Sequence, residues 1–172
     1  MEKISIVWLK RDLRIRDHEP LAMAINAGYP VLLLYCFEPS LMEAPQSDMR
    51  HWRFVWESLQ DMQQGLSKFH GKVEILHSEV EEVFGVLANH FQIQGVYSHQ
   101  ETGLKLTFDR DLRMKDFFQQ REIPWFEYLQ QGVERRRKNR DRWNNLWFAL
   151  MKSPIQNPDL AKANFIQLPS EL

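Results

Sequence analysis

The chain has a single cysteine in 172 residues, Cys36, so no internal disulfide can form. That cysteine sits inside the apolar run 31–37, where a thiol is inert far more often than reactive. One Cys cannot build a thiolate metal site, and the six His are scattered without ligand spacing, so no metal site is expected. The seven Gly are so dispersed that Gly-x-Gly occurs nowhere, which removes the dinucleotide fingerprint and the phosphate-cradling loops. Gly-x-Ser-x-Gly, Cys-x-x-Cys, His-x-x-His and His-x-Gly-His are absent too. No pair of carboxylates or His has a spacing that demands acid–base catalysis, so no catalytic residue is assigned. A run of 18 apolar residues is also missing, and Met1-Glu2-Lys3 leads straight into a strand without an apolar signal core. The expectation is a soluble, cytoplasmic binding domain with no membrane partner. The formal net charge of -1 argues against a wholly basic nucleic-acid surface.

What is present reads as one α/β domain. Five short apolar runs, 4–9, 31–37, 73–77, 95–99 and 124–129, are continuous rather than alternating, as strands buried on both faces are. Helical periods lie between them. Asp17 is positioned to cap a helix carrying Leu21, Ala24 and Ile25, which stops near Gly28 and Pro30. Ser47 opens a longer one whose stripe is Val55, Leu59, Met62, Leu66 and Phe69, ended by Gly71. A third shows Val80, Val83, Phe84, Leu87, Ala88 and Phe91 on one face, and a weaker fourth runs from Gly103 to about Arg121. Strand alternating with helix five times predicts a doubly wound, Rossmann-like parallel sheet of order 3-2-1-4-5, with helices on both faces. Polar residues close strands one, two and four: Lys10 and Arg11, then Glu38, then Gln100 and Glu101. If strand one is central, they converge at the switch point, where such folds bind ligands.

The wording at the first strand end adds a family. Trp8-Leu9-Lys10-Arg11-Asp12-Leu13-Arg14, followed by Asp17-His18, resembles the amino terminus of the photolyase/cryptochrome family. His18 stands where that family usually has Asn. Tyr35-Cys36-Phe37-Glu38-Pro39, Ser98-His99-Gln100-Glu101-Thr102-Gly103 and Arg110-Asp111 resemble later family stretches, in the same order. The likeness runs from about Ile4 to Asp159.

The resemblance implies a division of labour. Family members carry an amino-terminal α/β domain that houses or abuts a light-harvesting antenna chromophore. FAD and the damaged-DNA pocket belong to a separate helical domain, where light-driven electron transfer splits pyrimidine dimers. By this likeness the partners are a helical FAD-binding domain of the same parent protein and, through it, DNA; these 172 residues alone are not expected to repair. Carried over by position, Lys10, Arg11, Phe37, Glu38, Gln100 and Glu101 line a site for a folate, deazaflavin, lumazine or flavin mononucleotide type of antenna. Family members that bind a folate often show Asn-Glu where this chain has Gln100-Glu101. Arg11 has three candidate carboxylate partners: Glu38, Glu101, or one on the helical domain. The resemblance favours the last.

Residues 1–132 form the α/β domain in this reading, and the composition changes beyond them. Residues 134–142 hold six cations and two anions, followed by Trp143, Trp147, Leu150 and Met151 at helical spacing. A nucleic-acid contact is one reading of the tract. The spacing of the aromatics favours a helix within 133–152 that packs its Trp face on the domain while its cations stay in water. Residues 153–172, with Pro154, Pro158 and Pro169, read as a linker. A stand-alone nucleotide-binding or signalling module shares this topology and is the alternative function. The missing phosphate loop disfavours it.

Overall fold

The computed structural model describes residues 1–133, 135, 139 and 141–169. Its sheet holds β1 (Lys3–Trp8), β2 (Val31–Cys36), β3 (Val73–Leu76), β4 (Gln92–His99) and β5 (Trp125–Tyr128). Every pairing is parallel and the order is β3-β2-β1-β4-β5, as the apolar runs predict. Alternate residues of β1 feed two cores, which is why its apolar run is unbroken. Ile4, Ile6 and Trp8 pack against α4 (Val80–His90) and α5 (Lys105–Gln120). Val7 and Leu9 pack on the other face, against α1 (Glu19–Asn26) and α3 (Met49–Ser67).

The helix boundaries refine the reading from sequence. His18, not Asp17, caps α1: its Nδ1 accepts the Leu21 N–H at 3.1 Å. Asp17 takes left-handed backbone (φ 46°) instead. A short α2 (Pro39–Met42) follows β2, started by its proline. α3 begins after Asp48, whose carboxylate accepts the Arg50 N–H, and it ends at Ser67, before Phe69. His70 (φ 56°), not Gly71, takes the left-handed turn beyond it. Gly71 is required for another reason: a Cβ there would lie 2.8 Å from the ring of Phe165.

That contact belongs to a segment that departs from the linker expected beyond Ser153. The chain returns as a strap. At the carboxyl end of the sheet, Gln156 N–H donates to the Asp17 carboxylate (3.0 Å), and His18 N–H donates to Gln156 O (2.9 Å). At the amino end, Val31 N–H donates to Asn164 O and Ile166 N–H to Val31 O, forming a parallel bridge. Leu160, Ala163 and Phe165 pack on one core, Ile166 and Leu168 on the other. The basic tract divides differently: Glu134, Arg136, Arg137, Lys138 and Arg140 lie outside the described residues. In α6 (Trp143–Met151) only Trp147 and Leu150 of the expected stripe are half-buried, close against Gly132. Trp143 and Met151 are exposed, so half of the stripe is used. No helix among the described residues is long and apolar enough to cross a membrane.

If 153–168 were a linker, Phe165→Ala would change stability by no more than about 0.5 kcal/mol. Half-buried against Gly71 and the core, it should instead cost about 1.5–2.5 kcal/mol, roughly half the loss of a fully buried Phe. Urea denaturation of the two chains decides between them.

Candidate functional site

Chain direction across the sheet reverses beside β1, so the crevice of this fold opens between the carboxyl ends of β1 and β4. Two polar assemblies fill it. The first is a buried ion-pair network centred on Asp111 of α5. Its carboxylate accepts from Lys10 Nζ (3.0 Å), Arg110 Nη2 (2.9 Å) and Arg135 Nη2 (2.5 Å). Arg110 reaches on to Glu38 (2.6 Å) and Arg135 to Glu127 (2.8 Å), so three cations meet three carboxylates. Lys10 Nζ also lies 4.2 Å from the centre of the Trp8 ring, and the Arg110 guanidinium stacks near the same ring at 4.9 Å. Burial draws the Lys10 ammonium below its ordinary range, with Asp111 opposing. Burial raises Asp111 less than Lys10 and Arg110 lower it, and the net direction is down.

The second assembly is centred on Asp12. Its Oδ1 accepts the Lys10 N–H (2.9 Å), and its Oδ2 bonds His99 Nδ1 (2.6 Å). His18 Nε2 lies 2.7 Å from that same oxygen without the alignment of a full hydrogen bond. All three side chains are buried. Burial alone would raise the Asp12 carboxyl, yet the contacts with His18 and His99 hold it well below the usual carboxylate range. Three donor atoms lie within 4.8 Å of one another, a cluster that residues distant in sequence conceal. The spacing is that of shared protons: two ligands of one zinc, each about 2.0–2.1 Å from it, stand roughly 3.3 Å apart. His18 Nδ1 already accepts a backbone N–H, so the neutral ring carries its proton on Nε2 and offers no lone pair there.

The six residues expected at a ligand site separate into two groups. Lys10, Arg11, Gln100 and Glu101 line one cleft of about 90 Å³, with Asp12, His99, Thr102, Gly103, Gln130 and Gln131. Glu38 is taken up by Arg110, and Phe37 joins Trp52 and Trp56 in an aromatic cluster beside α3. Arg11 has a partner among the described residues: its Nε is 3.2 Å from Glu101 Oε1, while the Arg11 side chain stays 56% exposed. Glu101 also accepts the Gly103 N–H, and a Cβ at Gly103 would collide with the Arg11 guanidinium. Arg135, expected in solvent, is instead drawn in, donating to Glu101 O at 2.7 Å besides its two carboxylates. Two wider depressions of about 260 Å³ adjoin the cleft. One shares Glu101, Thr102 and Gly103 with it, and the other shares His99 and Gln130. Asp12, His18 and Arg110-Asp111 were visible as motif residues, but nothing in their spacing disclosed these pairings; Glu127 carried no sequence signal.

Replacing Asp111 by Ala leaves Lys10, Arg110 and Arg135 facing one another without their shared anion, so the domain should lose about 3–5 kcal/mol in urea denaturation. The pH dependence follows from Asp12 and Asp111, both of which ionise more readily folded than unfolded. Their contribution is complete above the unfolded carboxylate value and is lost as pH falls through the folded ones. Glu38, pushed up by burial, works in the opposite sense. The urea midpoint should therefore hold down to about pH 5 and fall below about pH 4. A midpoint unchanged at acid pH would contradict the assignment of both aspartates.

The chain is similar to known proteins. The family model described as DNA photolyase matches residues 5–133. Cryptochrome DASH of Gloeobacter violaceus is 33% identical over 117 residues, covering 64% of this chain and 23% of that protein. The deoxyribodipyrimidine photo-lyase of a Synechococcus is 24% identical over 96 residues, or 56% of this chain and 20% of its own. The chain thus spans about a quarter of the length of such relatives. Among solved structures, a bacterial class III photolyase from Agrobacterium tumefaciens superposes with a TM-score of 0.73 at 20% identity, over 99% of this chain and 36% of that one. An archaeal photolyase from Sulfolobus tokodaii, described with two FAD molecules and the implication of a novel light-harvesting cofactor, gives 0.73 at 17% identity over 95% and 38%. These structures share the fold. The family match covers most of the chain, from the first strand past the fifth, and on it the conclusion rests: this protein belongs to the DNA photolyase family, with its amino-terminal α/β domain.

Proposed function

We propose that this domain holds a light-harvesting chromophore at the carboxyl edge of its sheet and serves a flavin-bearing helical domain of a photolyase or cryptochrome. The observation that carries the proposal is the position of the cleft. It opens at the switch point between β1 and β4, lined by Lys10, Arg11, Gln100 and Glu101 and flanked by the two wider depressions. At about 90 Å³ the cleft alone holds a single ring, whereas ligand sites typically run about 300–1,000 Å³. A polycyclic dye therefore has to extend into a neighbouring depression. The depression sharing His99 offers Leu129, Leu150, Met151 and Ile155 as apolar walls. The likeness to the Sulfolobus tokodaii photolyase, with its implied light-harvesting cofactor, supports the same reading.

The role is supportive rather than catalytic. The charged groups nearest the cleft are already paired: Lys10 with Asp111, Arg11 with Glu101. They orient and solvate a ligand without being arranged to move its protons. Light-driven repair of pyrimidine dimers, contact with DNA and a cytoplasmic location are attributes we assign to the parent protein.

The test is optical. The purified chain, incubated with riboflavin or flavin mononucleotide and then desalted, should retain a visible absorption band beyond that of its Trp and Tyr residues. Arg11→Ala together with Gln100→Ala should reduce the retained dye severalfold while the far-ultraviolet circular dichroism is unchanged. A wild-type chain that retains no flavin, folate, deazaflavin or lumazine after desalting would refute the proposal.

A further inference from the structure

Within the antenna reading, on which this inference rests, one residue has a specific task. His99 ends β4 and lines both the narrow cleft and the depression that includes Leu129 and Ile155. Its Nδ1 bonds Asp12 Oδ2 at 2.6 Å. An ionised carboxylate only accepts, so the proton of that bond sits on Nδ1, and a ring carrying that proton alone presents Nε2 as a lone pair. Asp12 cannot turn away to release it. Its other oxygen is held by the Lys10 N–H, and His18, itself anchored as the α1 cap, stands against it with the two rings 4.9 Å apart.

The rest of the cleft wall combines charged groups, Lys10, Arg11, Asp12 and Glu101, with the amides of Gln100, Gln130 and Gln131, so donors and acceptors stand together there. An acceptor among such donors complements one heterocyclic edge, a ring N–H flanked by carbonyls. The cleft volume of about 90 Å³ suits one six-membered ring carrying that edge. The depression beyond His99, where Leu129, Leu150, Met151 and Ile155 stand among polar residues, takes the rest of a fused system.

We infer that His99 Nε2, held by Asp12, accepts the N–H of an imide or lactam ring edge and so selects chromophores of the flavin, deazaflavin, lumazine or pterin type by that edge. His18 is a positioning residue in this arrangement, keeping Asp12 and thereby His99 in place. A dye with the same fused rings but no ring N–H lacks the bond and sets an alkyl group against a buried lone pair, which such sites discriminate against strongly.

The probes are riboflavin and N3-methylriboflavin, titrated into the 172-residue chain and followed by quenching of flavin fluorescence. Riboflavin should bind at least about tenfold more tightly than its N3-methyl analogue. His99→Leu should bind both with equal, weakened affinity while its circular dichroism remains that of the wild type. Equal binding of the two flavins by the wild-type chain would overturn the inference and leave the antenna reading standing. Discrimination that persists in folded His99→Leu would place the acceptor on another residue and overturn it as well. Failure of the wild-type chain to bind either flavin would also overturn it, and retention of a folate or other dye in the desalting assay would show that the broader reading survives. The comparison of analogues on the wild-type chain needs no variant, so a misfolded substitution does not obscure the outcome.

Discussion

One carboxylate organises the carboxyl edge of this domain. Asp111 gathers the ammonium of Lys10 from the end of β1, the guanidinium of its neighbour Arg110 on α5, and that of Arg135 from beyond β5. Through Arg110 the linkage reaches Glu38 at the end of β2. Three strand ends and a helix are thus tied electrostatically where a parallel sheet has no hairpins to tie them. Burying charges is costly, and mutual attraction offsets the cost only when every partner is present and well placed. The network is consequently an all-or-none device. It also consumes charge that would otherwise face a ligand: Lys10 lines the cleft, yet its ammonium is held by Asp111.

The architecture was legible because physical constraints on a parallel sheet are written locally. A strand buried on both faces has to be continuously apolar, and β1 and β2 are; crossover handedness then restricts the strand order. The errors cluster where backbone conformation is decided by contacts distant in sequence. Asp17 is a good cap by type, but the strap claims its carboxylate, and His18 caps instead. Ser153 onward looked like linker because Pro154, Pro158 and Pro169 punctuate it, yet apolar residues at 160, 163, 165, 166 and 168 meet both cores. The site was half legible. Lys10, Arg11, Gln100 and Glu101 share a cleft because all follow β1 or β4, the pair flanking the switch point. Phe37 and Glu38 follow β2, one strand removed, and are absorbed by α3 and Arg110. His99 and Asp12 meet across 87 residues, a separation no local pattern reports.

Family membership and physical reading support each other at different scales. His99 adds an imidazole to the cleft of this scaffold, and His18 stands behind it against Asp12.

The strap has a consequence for the order in which the domain assembles. Its bonds to Asp17, His18 and Val31 join residues more than 130 positions apart, among the longest loops the chain has to close. Closure entropy rises with loop length, and contacts of such separation form late in folding. One depression beside the cleft takes part of its wall from Ser153, Pro154, Ile155 and Gln156. That wall is therefore among the last parts of the molecule to be built. Any ligand seated there binds only the finished chain, and its affinity adds directly to the stability of the fully folded state against every partly assembled one.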